Sequence, residues 1–397
     1  MKFSSLTERI AGEGSTSWDV HYEGLARKAA GEDIIILSVG EETDQRTPDN
    51  VVNVAIESLK NGRHHYTPVN GILPLREAIA RRYEARSGQQ VTADNCAVFA
   101  GAQNALYAVG QCLLEHGDEV ILIEPYYTTY PAAFTATGAT LVSVPVKPEN
   151  DFQIDTNDVI SRITERTRVI VLNSPNNPLG AIYTLEQFKP LVDVCVEREI
   201  WLVSDEVYLE ILPPEEQYTP ASLPGADKVC VSISSLSKSH RMTGWRLGWV
   251  VAPESLTKNL KNLSMCMCYG LPPFIMDAGV EALNSGNEVA QGVCGTLTNR
   301  RRIFLEEMKG AKGIQIHSAV GGMFVILDVR SFDVSGQEFA WGLLERHNIS
   351  ILPCDGFGGT GEGLLRVSLC VRDEQIVVAC RRIVEFVEFL HSNSSAE

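Results

Sequence analysis

The chain lacks any apolar run near the ~20 residues that a membrane-spanning helix requires. Its opening residues, MKFSSLTERIAGEG, have no apolar core of the kind a secretory leader carries. Basic residues are in deficit: 34 Lys and Arg stand against 50 Asp and Glu, a net charge of −16. That balance argues against nucleic acid and anionic membrane surfaces as partners and suits a cytoplasmic protein. The ten cysteines follow no framework spacing. Cys112, Cys195 and Cys380 sit inside apolar periodic runs and read as buried free thiols of a reducing compartment. Cys266-Met267-Cys268 is a bare pair without a second pair or a nearby histidine, so no metal site is expected. Internal repeats, low-complexity tracts and long linkers are missing as well.

What remains is a chain of 397 residues, 44% of them apolar, enough for a large core and two domains. Strand and helix patterns alternate along most of it, which predicts an α/β fold with a mainly parallel sheet. VILIEP at 120–125, RVIVLNSP at 168–175, IWLVSDE at 200–206 and VCVSISSLSK at 229–238 are short apolar runs that end in polar residues. Buried parallel strands have this pattern, and ligands bind beyond their carboxyl ends. The polar ends at Glu124–Tyr127, Asn173–Asn177, Asp205-Glu206 and Ser235–Lys238 therefore predict one crevice. The last hundred residues read as a smaller α/β domain. The expected division is 1–45 as an N-terminal arm packed with the small domain, 46–290 as the large domain, and 291–397 as the small one. The strand IIILSVG in the arm needs a neighbour, which the small domain would supply.

The segment SLSKSHRMTGWR, residues 235–246, places Lys238 just after an apolar strand, among hydroxyls and glycine. A lysine held on the floor of a cleft can lose its proton and form an imine with an aldehyde. Ser235, Ser237 and Arg246 are close enough in sequence to hold one phosphate beside it. Taken alone, Lys238 is equally a solvated surface lysine, the fate of most lysines.

It does not stand alone. Tyr66 in HHYTPVNG, Gly101-Ala102-Gln103 ahead of a helix, Tyr127, Asn177-Pro178-Leu179-Gly180, Asp205-Glu206-Val207-Tyr208 and, after Lys238, Arg366 in LLRVSL occur along the chain in that order. Over essentially its whole length the chain resembles the fold-type I, class I/II aminotransferases that use pyridoxal 5'-phosphate (PLP). The resemblance implies a large domain with a mainly parallel seven-stranded sheet and a smaller α/β domain. It implies Lys238 as the Schiff-base lysine and Asp205 on the protonated pyridine nitrogen. Asn177 and Tyr208 would bond the phenolic oxygen, and Tyr127 would stack on the ring. Gly101, Ala102, Gln103, Ser235, Ser237 and Arg246 would surround the phosphate. Arg366 would clamp the substrate carboxylate, and Tyr66 would reach the phosphate of a neighbouring subunit, making a homodimer with shared sites. Each role has a physical reason. A carboxylate keeps the ring nitrogen protonated, a helix start holds a phosphate, and a guanidinium fork grips a carboxylate.

One segment departs from the family. Where ordinary members have a run like G-x-P-D-F-x-T-P, this chain reads Gly40-Glu41-Glu42-Thr43-Asp44-Gln45-Arg46-Thr47-Pro48. Gly40 is expected near the substrate carboxylate, with Glu41 and Asp44 facing a cationic side chain. Upstream, Thr16 and Asp19 are three apart, share a helical face, and are expected to point into the site mouth together. These acids are also readable as ordinary solvent-facing residues in a chain with 50 of them. A guanidinium substrate, L-arginine, follows from the inward reading. WDVHYEGLA resembles arginine–pyruvate transaminases, while GEETDQ is similar to PLP-dependent arginine oxidases. The leading expectation is an O2-using oxidase that desaturates or hydroxylates L-arginine. The alternative is an arginine–pyruvate aminotransferase using a 2-oxo acid, and more remotely a regulatory binding module without turnover.

Overall fold

The computed structural model describes residues 1–11 and 13–394, including all their side chains except those of residues 13–15, 393 and 394. A short strand β1 (Ile35–Ile36) precedes the main sheet. That sheet is built from β2 (Cys96–Phe99), β3 (Glu119–Glu124), β4 (Thr140–Pro145), β5 (Thr167–Asn173), β6 (Trp201–Asp205), β7 (Cys230–Ser235) and β8 (Gly248–Val251). Its order is β2-β8-β7-β6-β5-β3-β4. Only β8 runs against its neighbours β2 and β7; the other pairings are parallel.

Alternation along these strands divides the core between the two faces of the sheet. Ile121, Ile123, Ile170, Leu172 and Leu202 join one buried cluster. Val120, Leu122, Val169, Val171, Val203, Val231 and Ile233 join another on the opposite face. With both faces covered by helices, polar groups are left at the strand ends. Glu124, Asn173, Asp205 and Ser235 close β3, β5, β6 and β7.

A second sheet, of order β12-β13-β10-β9, contains β9 (Gln315–His317), β10 (Phe324–Asp328), β12 (Leu352–Pro353) and β13 (Leu364–Ser368). Its pairings are antiparallel. β11 (Ile349–Ser350) pairs in parallel with β1, Ile35 opposite Ile349. The N-terminal arm thus finds its strand neighbour in the C-terminal unit. Val20, Ile34 and Leu37 share a buried cluster with Val325, Leu343 and Ile351. The helix Glu288–Glu307 runs without a break through residue 290, where the domain boundary was expected. Among the described residues, no helix is long and apolar enough to cross a membrane.

Candidate active site

The site is assembled where β5, β6 and β7 end. Ser235, the last residue of β7, accepts from Ser237 N at 3.3 Å through its Oγ and caps the short turn Leu236–Ser239 that carries Lys238. Lys238 Nζ donates to Gly40 O at 2.7 Å. Burial lowers the lysine pKa from its usual value; Arg366 and Arg246 push the same way, against Cys370 and Glu41. A lysine with a lowered pKa supplies a neutral, nucleophilic amine.

A cavity of about 210 Å³ opens above it, walled by Ala102, Gln103, Tyr127, Asn177, Asp205, Tyr208, Ser235, Ser237, Lys238 and Arg246. At one end lies Asp205. Its Oδ2 accepts from Tyr130 Oη at 2.5 Å and its Oδ1 from Val207 N at 3.2 Å. Burial still raises its pKa to about 6, with those bonds opposing and Glu206 adding. A cation placed against Asp205 would relieve that cost.

Along one side, Asn177 Nδ2 donates to Tyr208 Oη at 3.1 Å, and Asn177 Oδ1 accepts from Arg366 Nη1 at 2.9 Å. Arg366 is fully buried. Its Nη2 donates to Ser38 O at 2.6 Å, while its buried Nε has no partner. The guanidinium lies 4.1 Å from the Phe324 ring, 5.5 Å from Phe357 and 5.8 Å from Trp18. Burial lowers even this pKa. A cation held so tightly in an aromatic enclosure calls for an anionic ligand.

At the opposite end Gly101, with φ +86°, starts the helix Ala102–Leu113. Any Cβ at residue 101 would run into Arg246 Nη2. Arg246 is itself left-handed, φ 55°, and is fixed by Nη1 to Thr243 O at 2.7 Å and Nη2 to Ala100 O at 3.3 Å. The helix start, the Arg246 guanidinium and the Ser235 and Ser237 side chains border one cavity, where together they would suit a phosphate.

The groups expected to face the substrate side chain have other surroundings in the structure. Asp44 does not present a free carboxylate: its Oδ2 accepts from Arg300 Nη2 at 2.6 Å. Glu41 Oε1 is taken by the Thr243 hydroxyl. Thr16 and Asp19 are exposed, and neither lines the cofactor cavity. The segment does fold over the site, but Trp18 turns inward and Ser17 Oγ accepts from Gly356 N at 3.0 Å. An aromatic ring gains from burial, whereas an unpaired carboxylate loses its hydration there. Asp19 instead begins the helix Asp19–Ala29, where negative charge suits the dipole. Tyr66 is 89% exposed and lies edge-on to Tyr269 at 5.3 Å, outside its own chain's cavity.

Sequence reasoning missed Tyr130, Trp18 and Phe324. The aromatic run Tyr126-Tyr127-Thr128-Thr129-Tyr130 after β3 was the available signal for the first. It also missed a neighbouring cavity of about 690 Å³ that shares Gln103 with the first and is bordered by Trp18, Asp355, Glu362 and Arg9.

The sequence profile of aminotransferase class I and II matches residues 32–383. The chain belongs to this family. It is 46% identical over 383 residues to the arginine–pyruvate transaminase of Pseudomonas aeruginosa, a match covering 96% of this chain and 97% of the relative. It is 33% identical over 368 residues to the aspartate aminotransferase of Pyrococcus horikoshii, covering 92% and 94%. Among solved structures, the Thermus thermophilus aspartate aminotransferase with maleate superposes with a TM-score of 0.91 at 29% identity, covering 97% of this chain and 99% of the other. The fold is therefore PLP-dependent transferase fold type I, and the protein is an enzyme that uses PLP.

The residues present fit that cofactor. Gly101 leaves the space a phosphate needs beside Arg246, and the buried acid Asp205 awaits a cation. When bound, PLP supplies an aldehyde for an amine and a ring that accepts the electron pair left by a departing Cα proton. Asp205 would hold the ring nitrogen protonated, while Asn177 and Tyr208 would hold the phenolic oxygen. Arg366 would orient the substrate carboxylate. Lys238 Nζ would be the amine that takes the aldehyde and moves a proton at the substrate Cα.

The expectation of an O2-using arginine oxidase is overturned. A transaminase is 46% identical across nearly the full length of both chains. Moreover, the segment that suggested the oxidase spends its acids on Arg300, Arg241 and Thr243.

Proposed function

We propose that this enzyme is an aminotransferase that moves the amino group of L-arginine to a 2-oxo acid such as pyruvate. The observation that carries the reading is the 46% identity, across 96% of the chain, to a transaminase of that name. Two features support it. Arg366 offers an unpartnered Nε to a carboxylate within its aromatic enclosure. Beyond Trp18, the larger cavity carries Asp355 and Glu362, two carboxylates a guanidinium can use, with Arg9 turned to Ala136 O at 2.8 Å.

Adding L-arginine to the PLP-loaded enzyme without an acceptor should convert the cofactor absorbance once, stoichiometrically, and then stop. Pyruvate should restore the starting spectrum. A spectrum indifferent to arginine but responsive to aspartate would move the proposal to another donor.

The reading includes a homodimer with shared sites in a reducing, cytoplasmic setting. Exposed Tyr66 and Tyr269 form a paired aromatic surface suited to a partner copy, and all ten cysteines are free. Tyr66→Phe should weaken cofactor retention in a dimer; unchanged retention would count against sharing.

A further inference from the structure

The segment 40–48 is laced to the segment carrying the lysine. Gly40 O accepts from Lys238 Nζ, and Glu41 Oε1 from the Thr243 hydroxyl. Glu42 Oε2 accepts from Arg241 Nε at 2.9 Å. Thr47 Oγ1 donates to Arg241 O at 2.8 Å and accepts from Trp245 Nε1 at 3.0 Å. Residues 40–47 and 238–245 are thus fastened along their length.

Glu42 occupies the centre of this lacing. Its side chain is 2% exposed, and Oε1 lies 3.7 Å from Arg300 Nη1 without a hydrogen bond. Arg300 comes from the helix Glu288–Glu307 and also binds Asp44 and, at 3.1 Å, Asp373. Glu42 thus lies between two guanidiniums, Arg241 hydrogen-bonded on one oxygen and Arg300 beside the other. Arg241, three residues after Lys238, is left-handed with φ 55°, a conformation that needs outside support in a non-glycine residue. Its contacts to Glu42 and Thr47 supply that support.

We propose that Glu42 is a positioning residue for Lys238. Through Arg241 and the 40–47 segment it keeps the Gly40 carbonyl at hydrogen-bond distance from Nζ. That contact aims the amine whenever it is not bonded to the cofactor. The assignment does not depend on which amino acid is the donor. The other groups facing Lys238 are Arg366, Arg246, Glu41 and Cys370, and none of them is altered in the test.

The test uses the full-length, PLP-loaded enzyme with Glu42→Gln and, separately, Arg241→Met. Both variants loosen the lacing, so kcat should fall roughly tenfold or more while the donor KM changes by about twofold at most. The pH midpoint at which the bound cofactor's absorbance titrates should move in opposite directions. Glu42→Gln takes the carboxylate partner from Arg241 and lowers it; Arg241→Met removes a cation and raises it. Glu42→Asp, which keeps the charge, should leave the midpoint near that of the parent and recover part of kcat. If Glu42→Gln does not fold, Arg241→Met decides alone, because it leaves the Glu42–Arg300 pair intact. Parent-like kcat and midpoint in a folded Glu42→Gln or Arg241→Met would overturn the assignment, as would midpoints that shift in the same direction.

Discussion

Arg366 Nη1 donates to Asn177 Oδ1 at 2.9 Å, and Asn177 in turn donates to Tyr208 Oη. The carboxylate clamp and the groups assigned to the cofactor's phenolic oxygen therefore form one hydrogen-bonded chain. Replacing Arg366 with Met should raise the KM of the amino acid roughly hundredfold, from the loss of two charge-assisted hydrogen bonds. Cofactor content, read by absorbance, should persist. An unchanged KM would remove Arg366 from substrate binding.

The raised pKa of Asp205 has a consequence for cofactor affinity. With the folded value near 6 and above its ordinary one, the cofactor-free protein gains stability from a neutral Asp205 at low pH. That contribution is lost as pH rises through about 6. Cofactor binding needs the ionised acid, so the sign reverses: PLP affinity of the cofactor-free enzyme should rise with pH through about 6. Tyr130→Phe removes a hydrogen bond that favours the carboxylate and should move that midpoint upward. Fluorescence titration with PLP across this range measures both, and a flat affinity would contradict the assignment of Asp205.

Gly101→Ala tests the phosphate cradle. A side chain at φ +86° is strained, and its Cβ would displace Arg246. PLP retention on dialysis should fall roughly tenfold or more, with a smaller effect on the melting temperature of the cofactor-free protein. Normal retention would place the phosphate elsewhere.

Asp44→Asn separates a structural acid from a substrate acid. Arg300, 4% exposed, would keep a full charge with one partner fewer, at a cost of about 2–4 kcal/mol in stability. The melting temperature should drop while the arginine KM stays put. The reverse pattern, a raised KM with intact stability, would return Asp44 to the substrate pocket.

Much of this architecture is legible in the sequence because it rests on local pattern. The apolar runs at 120–125, 168–175, 200–206 and 229–238 correspond to β3, β5, β6 and β7, since a strand buried on both faces must be apolar and must end where polarity begins. Lys238, Asp205 and Asn177 fall together because they lie at or just beyond those ends, and Arg246 joins them just ahead of the antiparallel β8. Pairing between distant residues is not legible in the same way. Asp44 meets Arg300 across 256 positions of chain, so its acidity suggested a ligand when its partner was a side chain of the protein itself. The N-terminal turn shows the same limit. Spacing put Thr16 and Asp19 on one face, but packing against Arg366 and Gly356 turned Trp18 and Ser17 inward.

Transamination is tested most directly by following the amino group. The PLP-loaded enzyme is given L-arginine with and without pyruvate, and alanine and the 2-oxo acid of arginine are quantified. The two products should form in equal amounts over many turnovers, and only when pyruvate is present. Sustained consumption of arginine without any 2-oxo acid, or turnover with pyruvate that yields no alanine, would contradict transamination.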